Sequence, residues 1–189
     1  MSACIDTMTE CANSTEHVMP VCATVHTLND KWVLYNHLPS VKDWTLKGYN
    51  VIMDQIDTVE KVVTLNRALP DNLVKYSMLF YMREGITPLW EDDKNKNGGC
   101  FSYKVVNKHV LQVWRQMMYL VSGETLASDP SYSEVINGIT ISPKKNFCII
   151  KIWLSDTNHQ DPQLIANIDN LTKHGSMFCL LYTSPSPRD

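Results

Sequence analysis

The chain has 189 residues, of which 44% are hydrophobic and 20% charged, the composition of an ordinary globular protein. Its net charge of -3 excludes a global basic field of the kind that attracts long nucleic acid, so any contact with nucleic acid is expected to be local and short. No apolar run approaches the roughly 20 residues that span a bilayer, and no secretory signal opens the chain. We therefore expect a cytoplasmic protein without membrane contact.

The six cysteines are scattered along the chain. None forms a C-x-x-C pair, and no Cys/His cluster has the spacing of zinc ligands. Scattered cysteines in a chain without a signal are typical of reduced thiols in the cytosol. We expect no metal and no cofactor.

In chain order, the sequence predicts an arm, one domain and a tail. Residues 1–24 are small and polar without periodicity, which is typical of a disordered arm. Residues 25–182 carry the periodic apolar segments and are expected to form a single domain. Residues 183–189 are expected to be a disordered or artefactual tail, because the sequence from Leu181 onward resembles translated sequencing adapter.

Aromatic and β-branched runs between turn residues predict seven strands. They fall at residues 31–35, 49–53, 76–82, 100–106, 135–142, 147–154 and 177–183. The fifth and sixth are joined by the basic turn Pro143–Asn146, which indicates a hairpin. Neighbouring strands of this kind indicate antiparallel pairing.

Helical periodicity occurs at residues 57–69, 107–121 and 161–171. The first segment opens on Asp57 with Glu60 three residues on, a capping signature, and Pro70 ends it. The third has Pro162 at its first position and Gly175 after its end. The side chains expected to face inward are Val59, Val62, Val63 and Leu69 in the first helix, and Leu164, Ile165, Ile168 and Leu171 in the third. The fold class is therefore α+β, and the absence of a Gly-rich fingerprint excludes Rossmann and P-loop folds.

Catalytic signatures are absent from the sequence. Asp92 and Asp93 are adjacent, but in a turn rich in Lys and Asn such acids are usually solvated. The histidines show no pairing that indicates a general base or a metal ligand. We expect a protein that is not an enzyme.

The most informative stretch is the loop at residues 85–99. Pro88 fixes its own backbone angle, so that Trp90 and Glu91 lie side by side in a loop. An indole face next to a carboxylate suits a flat, cationic heterocycle with N–H donors on its edge. The alternative is that Trp90 is simply buried and Glu91 solvated.

Two further tryptophans lie outside helical core positions, Trp44 in a loop and Trp153 near a strand end. Two loop tryptophans can hold a ring between them, each stacked face contributing about 1–3 kcal/mol and the cation–π attraction roughly 0.5–2 kcal/mol. Trp153 is equally well explained as a core residue. The basic turn with Lys144 and Lys145 is suited to neutralising phosphates attached to the ring.

The stretch GITPLWEDDKNKNGG at residues 85–99 closely resembles the signature of the eukaryotic translation initiation factor 4E family of mRNA cap-binding proteins. The likeness extends from His26 to about Leu171 and includes Trp32, Trp114 and Gly138. The resemblance implies a curved antiparallel sheet with three helices on its convex face and a cap slot on its concave face. It also implies a monomer that binds capped mRNA in translation initiation.

For the slot, the resemblance implies that Trp44 and Trp90 stack on both sides of 7-methylguanine. Glu91 would accept the N–H groups of its Watson–Crick edge, and Trp153 would contact the methyl group. Lys144 stands where the family has an arginine that binds phosphate. Lysine keeps the charge but loses the bidentate fork.

Two other basic positions of the family are lost, one to Cys100 and one to Ile149. Lys151 is two residues from Trp153 on the same strand face, so Lys151 and Lys145 are candidates to compensate. We expect recognition of the base to be kept and binding of the triphosphate to be weakened or rearranged.

The resemblance also implies a partner surface on the convex face, which takes a peptide of the scaffold factor 4G or of a 4E-binding repressor. The residues at these positions are His26, Leu28, Val59, Val63, Arg115 and Tyr119. Val63 replaces a tryptophan of the family, and Arg115 and Tyr119 replace leucines. A partner with a non-standard motif is therefore expected.

The function expected from these residues is cap binding in translation initiation. One alternative is a cap-binding repressor that does not engage the usual scaffold. Another is an interaction module that has lost cap binding, with Cys100 and Ile149 as marks of the loss. An enzyme acting on capped nucleotides ranks last, because no nucleophile or base is available.

Overall fold

A computed structural model describes residues 24–171 and 176–181 of the chain. Residues 1–23 of the predicted arm at residues 1–24 lie outside the described residues, as do the predicted tail at residues 183–189 and Gly175, the expected end of the third helix. Within the described ranges, no helix is both long and apolar enough to cross a membrane.

The described residues form seven strands: β1 Thr27–His37, β2 Asn50–Thr58, β3 Met78–Arg83, β4 Gly99–Val106, β5 Ile136–Pro143, β6 Phe147–Leu154 and β7 Met177–Leu180. They make one antiparallel sheet in the order β2-β1-β3-β5-β6-β4-β7. Each predicted strand corresponds to one of them, although β1 and β2 are longer than predicted. The predicted α+β class with a curved antiparallel sheet is confirmed.

Four α-helices occur among the described residues. They are α1 Val59–Ala68, α2 Asp71–Tyr76, α3 Val110–Ser122 and α4 Pro130–Glu134. Helix α3 packs on the sheet and on two other helices, contacting β1, β4 and β5 as well as α1 and α2. It buries seven of its side chains, including Trp114 and Met117, which agrees with its predicted periodicity.

Helix α1 begins one residue later than predicted. Thr58, not Asp57, is the N-cap, and its side-chain oxygen accepts a hydrogen bond from the Lys61 backbone N–H at 3.2 Å. The helix ends before Pro70, as predicted. Val59 was expected to face inward but is 43% exposed, because the buried face of α1 is formed by Val62 and Leu65.

Two short helices were not predicted. Helix α2 occupies residues that precede β3, so the strand expected from Tyr76 begins at Met78 instead. Helix α4 begins with Pro130 at its first position, after an Asp129 cap. Both helices are shorter than two turns, too short to show a helical repeat of apolar residues.

The third predicted helix, at residues 161–171, is wrong. Only a single 3-10 turn forms there, Pro162–Leu164, and Asn170 adopts a left-handed backbone angle of φ 67°. Instead, Ile165 forms an antiparallel bridge with Ala127, and the Ala166 backbone N–H donates to the Leu126 carbonyl at 2.8 Å. The side chains at 165, 168 and 171, which were predicted to face inward, are buried nonetheless. The apolar spacing therefore indicated buried positions but did not indicate a helix.

The sheet separates two apolar clusters. The larger lies between the sheet and the helices and contains strand residues such as Trp32, Tyr81 and Ile150. The smaller lies on the opposite face and includes Phe80 and Trp153. Neighbouring residues of one strand, such as Phe80 and Tyr81, belong to different clusters because successive side chains point to opposite faces of a sheet. We call the side without α1, α2 and α3 the open face.

Candidate functional site: an aromatic slot on the open face

Strand register defines which side chains share the open face. Tyr35 pairs with Phe80, Phe80 with Thr140, Thr140 with Lys151, and Lys151 with Ser102. Directly opposed residues of paired strands point to the same side of the sheet. The open face is therefore aromatic toward β1 and β3 and polar and basic toward β4 and β6.

The loop at residues 85–99, here called the Trp90 loop, is held by buried hydrogen bonds. The Asn95 side chain is fully buried and donates to the carbonyls of Thr87 and Leu89 at 3.0 and 2.7 Å. The Asn137 side chain, at the start of β5, donates to the Asn95 side-chain oxygen at 2.9 Å. These bonds fix the backbone on both sides of Trp90 relative to the sheet.

Asp92 has a structural part in the same loop. Its carboxylate accepts from the Thr87 backbone N–H at 2.9 Å and from the Thr87 hydroxyl at 2.6 Å, and it also accepts from the Lys94 backbone N–H. Partial burial opposes ionisation, but these hydrogen bonds outweigh it and hold the pKa of Asp92 below its usual range. The expectation of two solvated acids thus fits Asp93, which pairs with Lys96 at the surface, but not Asp92.

Glycine is required at both ends of the Trp90 loop. Gly85 has a positive φ of 77°, which L side chains rarely adopt. A Cβ at Gly98 would lie 1.8 Å from the Leu154 carbonyl oxygen. The loop can therefore close tightly against the end of β6.

Trp44 lies in the connection between β1 and β2 and is half-buried. Its ring stacks on the His37 imidazole, with centroids 4.1 Å apart and planes 7° from parallel. His37 Nε2 donates to the Asp43 carbonyl at 2.9 Å, and the Asp43 carboxylate accepts from the Thr45 backbone N–H at 2.8 Å. The segment that carries Trp44 is therefore tied back to the end of β1.

Three tryptophans converge on the smaller apolar cluster. Trp153 is 5% exposed and belongs to its core, where the indole N–H donates to the Thr140 hydroxyl at 3.2 Å. Trp44 and Trp90 are half-buried and pack on the same cluster. A groove of about 420 Å³ lies beside Trp44 and is also lined by Leu89 and Glu91. An indole face and an exposed carboxylate thus meet at one concave surface.

The basic side chains of the open face lie next to this slot. Lys144 lines a second hollow of about 230 Å³ together with His37 and Trp44. Lys151 is half-buried near Cys100. Burial raises the pKa of the Cys100 thiol, so the thiol is neutral near pH 7 and supplies no charge of its own. Lys145 is exposed at the tip of the β5–β6 hairpin.

Lys104 and His37 are candidate site residues that sequence reasoning missed. Lys104 pairs in register with Ile149, and its ammonium lies 4.4 Å from the centroid of the Phe147 ring. The sequence shows Lys104 only as a polar position on β4, because its neighbour across the sheet is known only once the register is known. No charged residue stands next to His37 in the sequence. Its stacking on Trp44 depends on the conformation of the turn between them, so the sequence alone does not indicate it.

The predicted partner positions lie on the helical side. The Val59 backbone N–H donates to the His26 carbonyl at 2.9 Å, and the His26 Nδ1 atom lies 2.7 Å from a Glu60 carboxylate oxygen. On α3, Arg115 pairs with Asp71 of α2 at 3.0 Å, and Tyr119 is 42% exposed. Leu28 packs against the larger cluster, and Val63 is half-buried.

Within the parts of the chain that the structure describes, no group of three His, Cys, Asp or Glu side chains could hold a metal ion. The chemistry available at the slot is stacking, hydrogen-bond acceptance at Glu91 and attraction of anions by lysines. These are the elements of a binding site for a flat cation that carries phosphates.

A family model places this site in a known class. The model described as eukaryotic initiation factor 4E matches residues 27–176, most of the chain. The chain belongs to the eukaryotic initiation factor 4E family.

Sequence relatives carry the same name. A eukaryotic translation initiation factor 4E homolog of Acanthamoeba polyphaga mimivirus is 46% identical over 82 residues, which cover 43% of this chain and 26% of the relative. The eukaryotic translation initiation factor 4E of Eremothecium gossypii is 30% identical over 135 residues, covering 68% of this chain and 62% of the relative. The matches thus span less than two thirds of the length of these relatives.

Solved structures share the fold. A Schistosome eIF4E complexed with m7GpppG and 4E-BP superimposes with a TM-score of 0.63 at 24% identity, covering 71% of this chain and 75% of that one. Ascaris suum eIF4E-3 with m7G cap gives a TM-score of 0.62 at 22% identity, covering 72% and 77%. At this identity the likeness establishes the fold alone.

Proposed function

We propose that this protein binds the 7-methylguanosine cap at the 5' end of mRNA and acts in translation initiation. The observation that carries the proposal is the convergence of Trp44, Trp90 and Trp153 on one cluster of the open face, with Glu91 lining the groove beside Trp44. Family membership supports it, as do structural neighbours that were solved with cap analogues.

The base is held by stacking and by charge. Methylation at N7 makes guanine cationic, so the indole faces of Trp44 and Trp90 attract it through their quadrupoles as well as by contact. Glu91 accepts the N–H donors of the Watson–Crick edge, which are charge-assisted hydrogen bonds. Trp153 is buried beneath the slot and contributes a rigid floor near the methyl group.

The phosphates extend toward the lysines of the open face. Lys144 lines the second hollow together with Trp44, and Lys151 lies near Cys100. Lys104, across the register from Ile149, supplies a cation on the neighbouring strand where β6 has an isoleucine. Lys145 is exposed at the hairpin tip and contributes at longer range.

Further properties belong to the same proposal. The protein acts as a monomeric binding factor and not as an enzyme, and it works in the cytoplasm. Its folded domain comprises residues 25–182. The remaining residues form an arm at residues 1–24 and a tail at residues 183–189.

A partner peptide docks on α1 and α3. His26 lies beside Val59 at the start of α1, and Val59 on α1 and Tyr119 on α3 are exposed, so each helix offers an apolar side chain to a partner. The Arg115–Asp71 ion pair adds charges to the same helical side. The partner is a segment of scaffold factor 4G or a 4E-binding repressor whose motif accommodates this pair.

Retention on 7-methyl-GTP resin tests the slot. Glu91→Ala and Trp90→Ala are expected to reduce retention at least tenfold, because each removes contacts worth more than about 1.4 kcal/mol. The matched controls are Glu84→Ala, which removes an exposed carboxylate paired at 4.0 Å with Lys31, and Tyr119→Ala, which removes an exposed ring from α3. Undiminished retention of both slot variants would contradict the assignment.

A further inference from the structure

One face of the Trp44 ring is already occupied in the free protein. His37 lies parallel to it at a centroid distance of 4.1 Å. A ring face that is covered at stacking distance cannot take a second ring. A stacked base must therefore use the opposite face of Trp44. The groove that Trp44 shares with Leu89 and Glu91 is not lined by His37.

His37 is held in one orientation. Its side chain is 1% exposed, its ring is edge-on to Tyr49 at 5.0 Å, and Nε2 donates to the Asp43 carbonyl at 2.9 Å. Because a carbonyl only accepts, Nε2 carries the hydrogen and the neutral ring presents the Nδ1 lone pair. Nδ1 is buried and has no hydrogen-bond partner among the described residues. Protonation at Nδ1 would thus place an unpaired donor directly behind Trp44.

We propose that His37 is a positioning residue for Trp44, and that its protonation weakens the binding of a cationic base to the far face of that indole. The inference rests on the proposed function, because it requires the base to stack on Trp44. Imidazole is the side chain that changes charge between pH 5 and 8. With His37 neutral, the indole quadrupole is available to the ligand. With His37 protonated, two cations compete for one ring and repel each other through it.

Other charges also face His37. Asp43, on the same loop, favours the protonated ring, since hydrogen bonds from Thr45 hold the pKa of its carboxyl low and keep it ionised. Lys144, from the β5–β6 turn, lines the same hollow and opposes protonation. Tyr76 also lines that hollow, and the Tyr49 ring packs edge-on against the imidazole. The methylated base is itself a cation, so its binding, like Lys144, favours the neutral form of His37.

The test is the Kd of 7-methyl-GTP at pH 5.5 and at pH 8.0, compared as a ratio for each protein. Two unit charges about 8 Å apart on opposite faces of a ring give a penalty on the order of tenfold in Kd at an effective dielectric between those of water and a protein surface. We expect the ratio for the wild type to exceed the ratio for His37→Phe by about that factor, because phenylalanine keeps the stacked ring and cannot be charged. His37→Gln serves as a second uncharged variant that can still donate to the Asp43 carbonyl.

Titration of the ligand and of Glu91 is common to all three proteins and cancels in the comparison. Equal ratios in the wild type and in either folded variant would overturn the role of His37. Absence of binding by the wild type at pH 8.0 would instead remove the proposed function, and this inference with it. The two failures are therefore distinguishable.

Discussion

At the scale of single residues, the slot consists of a few side chains that each contribute a different kind of interaction. In the proposed function, Trp44 and Trp90 provide polarisable faces, and Glu91 provides an acceptor whose charge is matched to a cationic base. The lysines contribute through charge alone, since an ammonium binds phosphate as a point charge without the fork of arginine. Base recognition and phosphate recognition are therefore expected to respond separately to mutation.

Lys104 allows this separation to be measured. Lys104→Ala is expected to weaken 7-methyl-GTP binding by about 1 kcal/mol, roughly fivefold, because an exposed ion pair is lost. Binding of 7-methylguanosine, which lacks phosphates, should be unchanged. Calorimetric titration of both ligands measures the difference, and Lys108→Ala, beyond the end of β4, is the matched control. Equal losses for both ligands would show that Lys104 acts on the base or on folding.

At the scale of elements, strands were predictable and short helices were not. Aromatic and β-branched runs between turn residues identified β4 and β6, whose bounds match within one residue. The segment at 161–171 shows the limit of such patterns. Its apolar spacing matched a helix, but pairing of Ile165 with Ala127 and the left-handed angle at Asn170 decided otherwise. Spacing alone cannot distinguish a helix from an irregular segment that buries every third residue.

The site was predictable to a similar extent. The Trp90 loop carries its own signal, since Pro88, Gly85 and Gly98 specify its shape locally. In contrast, Lys104 and His37 become candidate site residues only through contacts with distant or folded-back segments. Strand register and turn geometry, which bring such residues together, are tertiary properties.

The helix pair α1 and α3 yields a prediction about partner choice. A standard Tyr-x-x-x-x-Leu peptide is expected to bind weakly, because Val63 offers less apolar surface than tryptophan and Arg115 is committed to Asp71. The double variant Val63→Trp with Arg115→Leu should bind the peptide on the order of tenfold more tightly, since a large buried apolar side chain contributes about 1.5–3 kcal/mol.

Calorimetry with this peptide, and with a control peptide whose Tyr and Leu are replaced by Ala, measures the effect. Loss of the Arg115–Asp71 pair should itself lower the free energy of unfolding only slightly, because exposed ion pairs contribute about 0–1 kcal/mol to it. Tight, specific binding of the standard peptide by the wild type would contradict the expectation of a non-standard partner motif.

At the scale of the whole molecule, the sheet keeps two surfaces apart. The larger cluster joins the sheet to the helices that carry the partner positions, and the smaller cluster supports the slot on the other face. Changes to Val63 or Arg115 should therefore leave retention on 7-methyl-GTP resin intact, since both lie on the helical side and neither belongs to the smaller cluster that the described residues form under the proposed slot. The proposed cap slot and the predicted partner positions therefore lie on opposite faces of the sheet.

The most direct measurement of cap binding is intrinsic tryptophan fluorescence during titration with 7-methyl-GTP and, in parallel, with unmethylated GTP. Stacking of a cationic base on Trp44 and Trp90 predicts strong, saturable quenching by 7-methyl-GTP and little by GTP at the same concentrations, because only the methylated base is a cation. Equal quenching by the two nucleotides, or none by either, would contradict cap recognition at this slot.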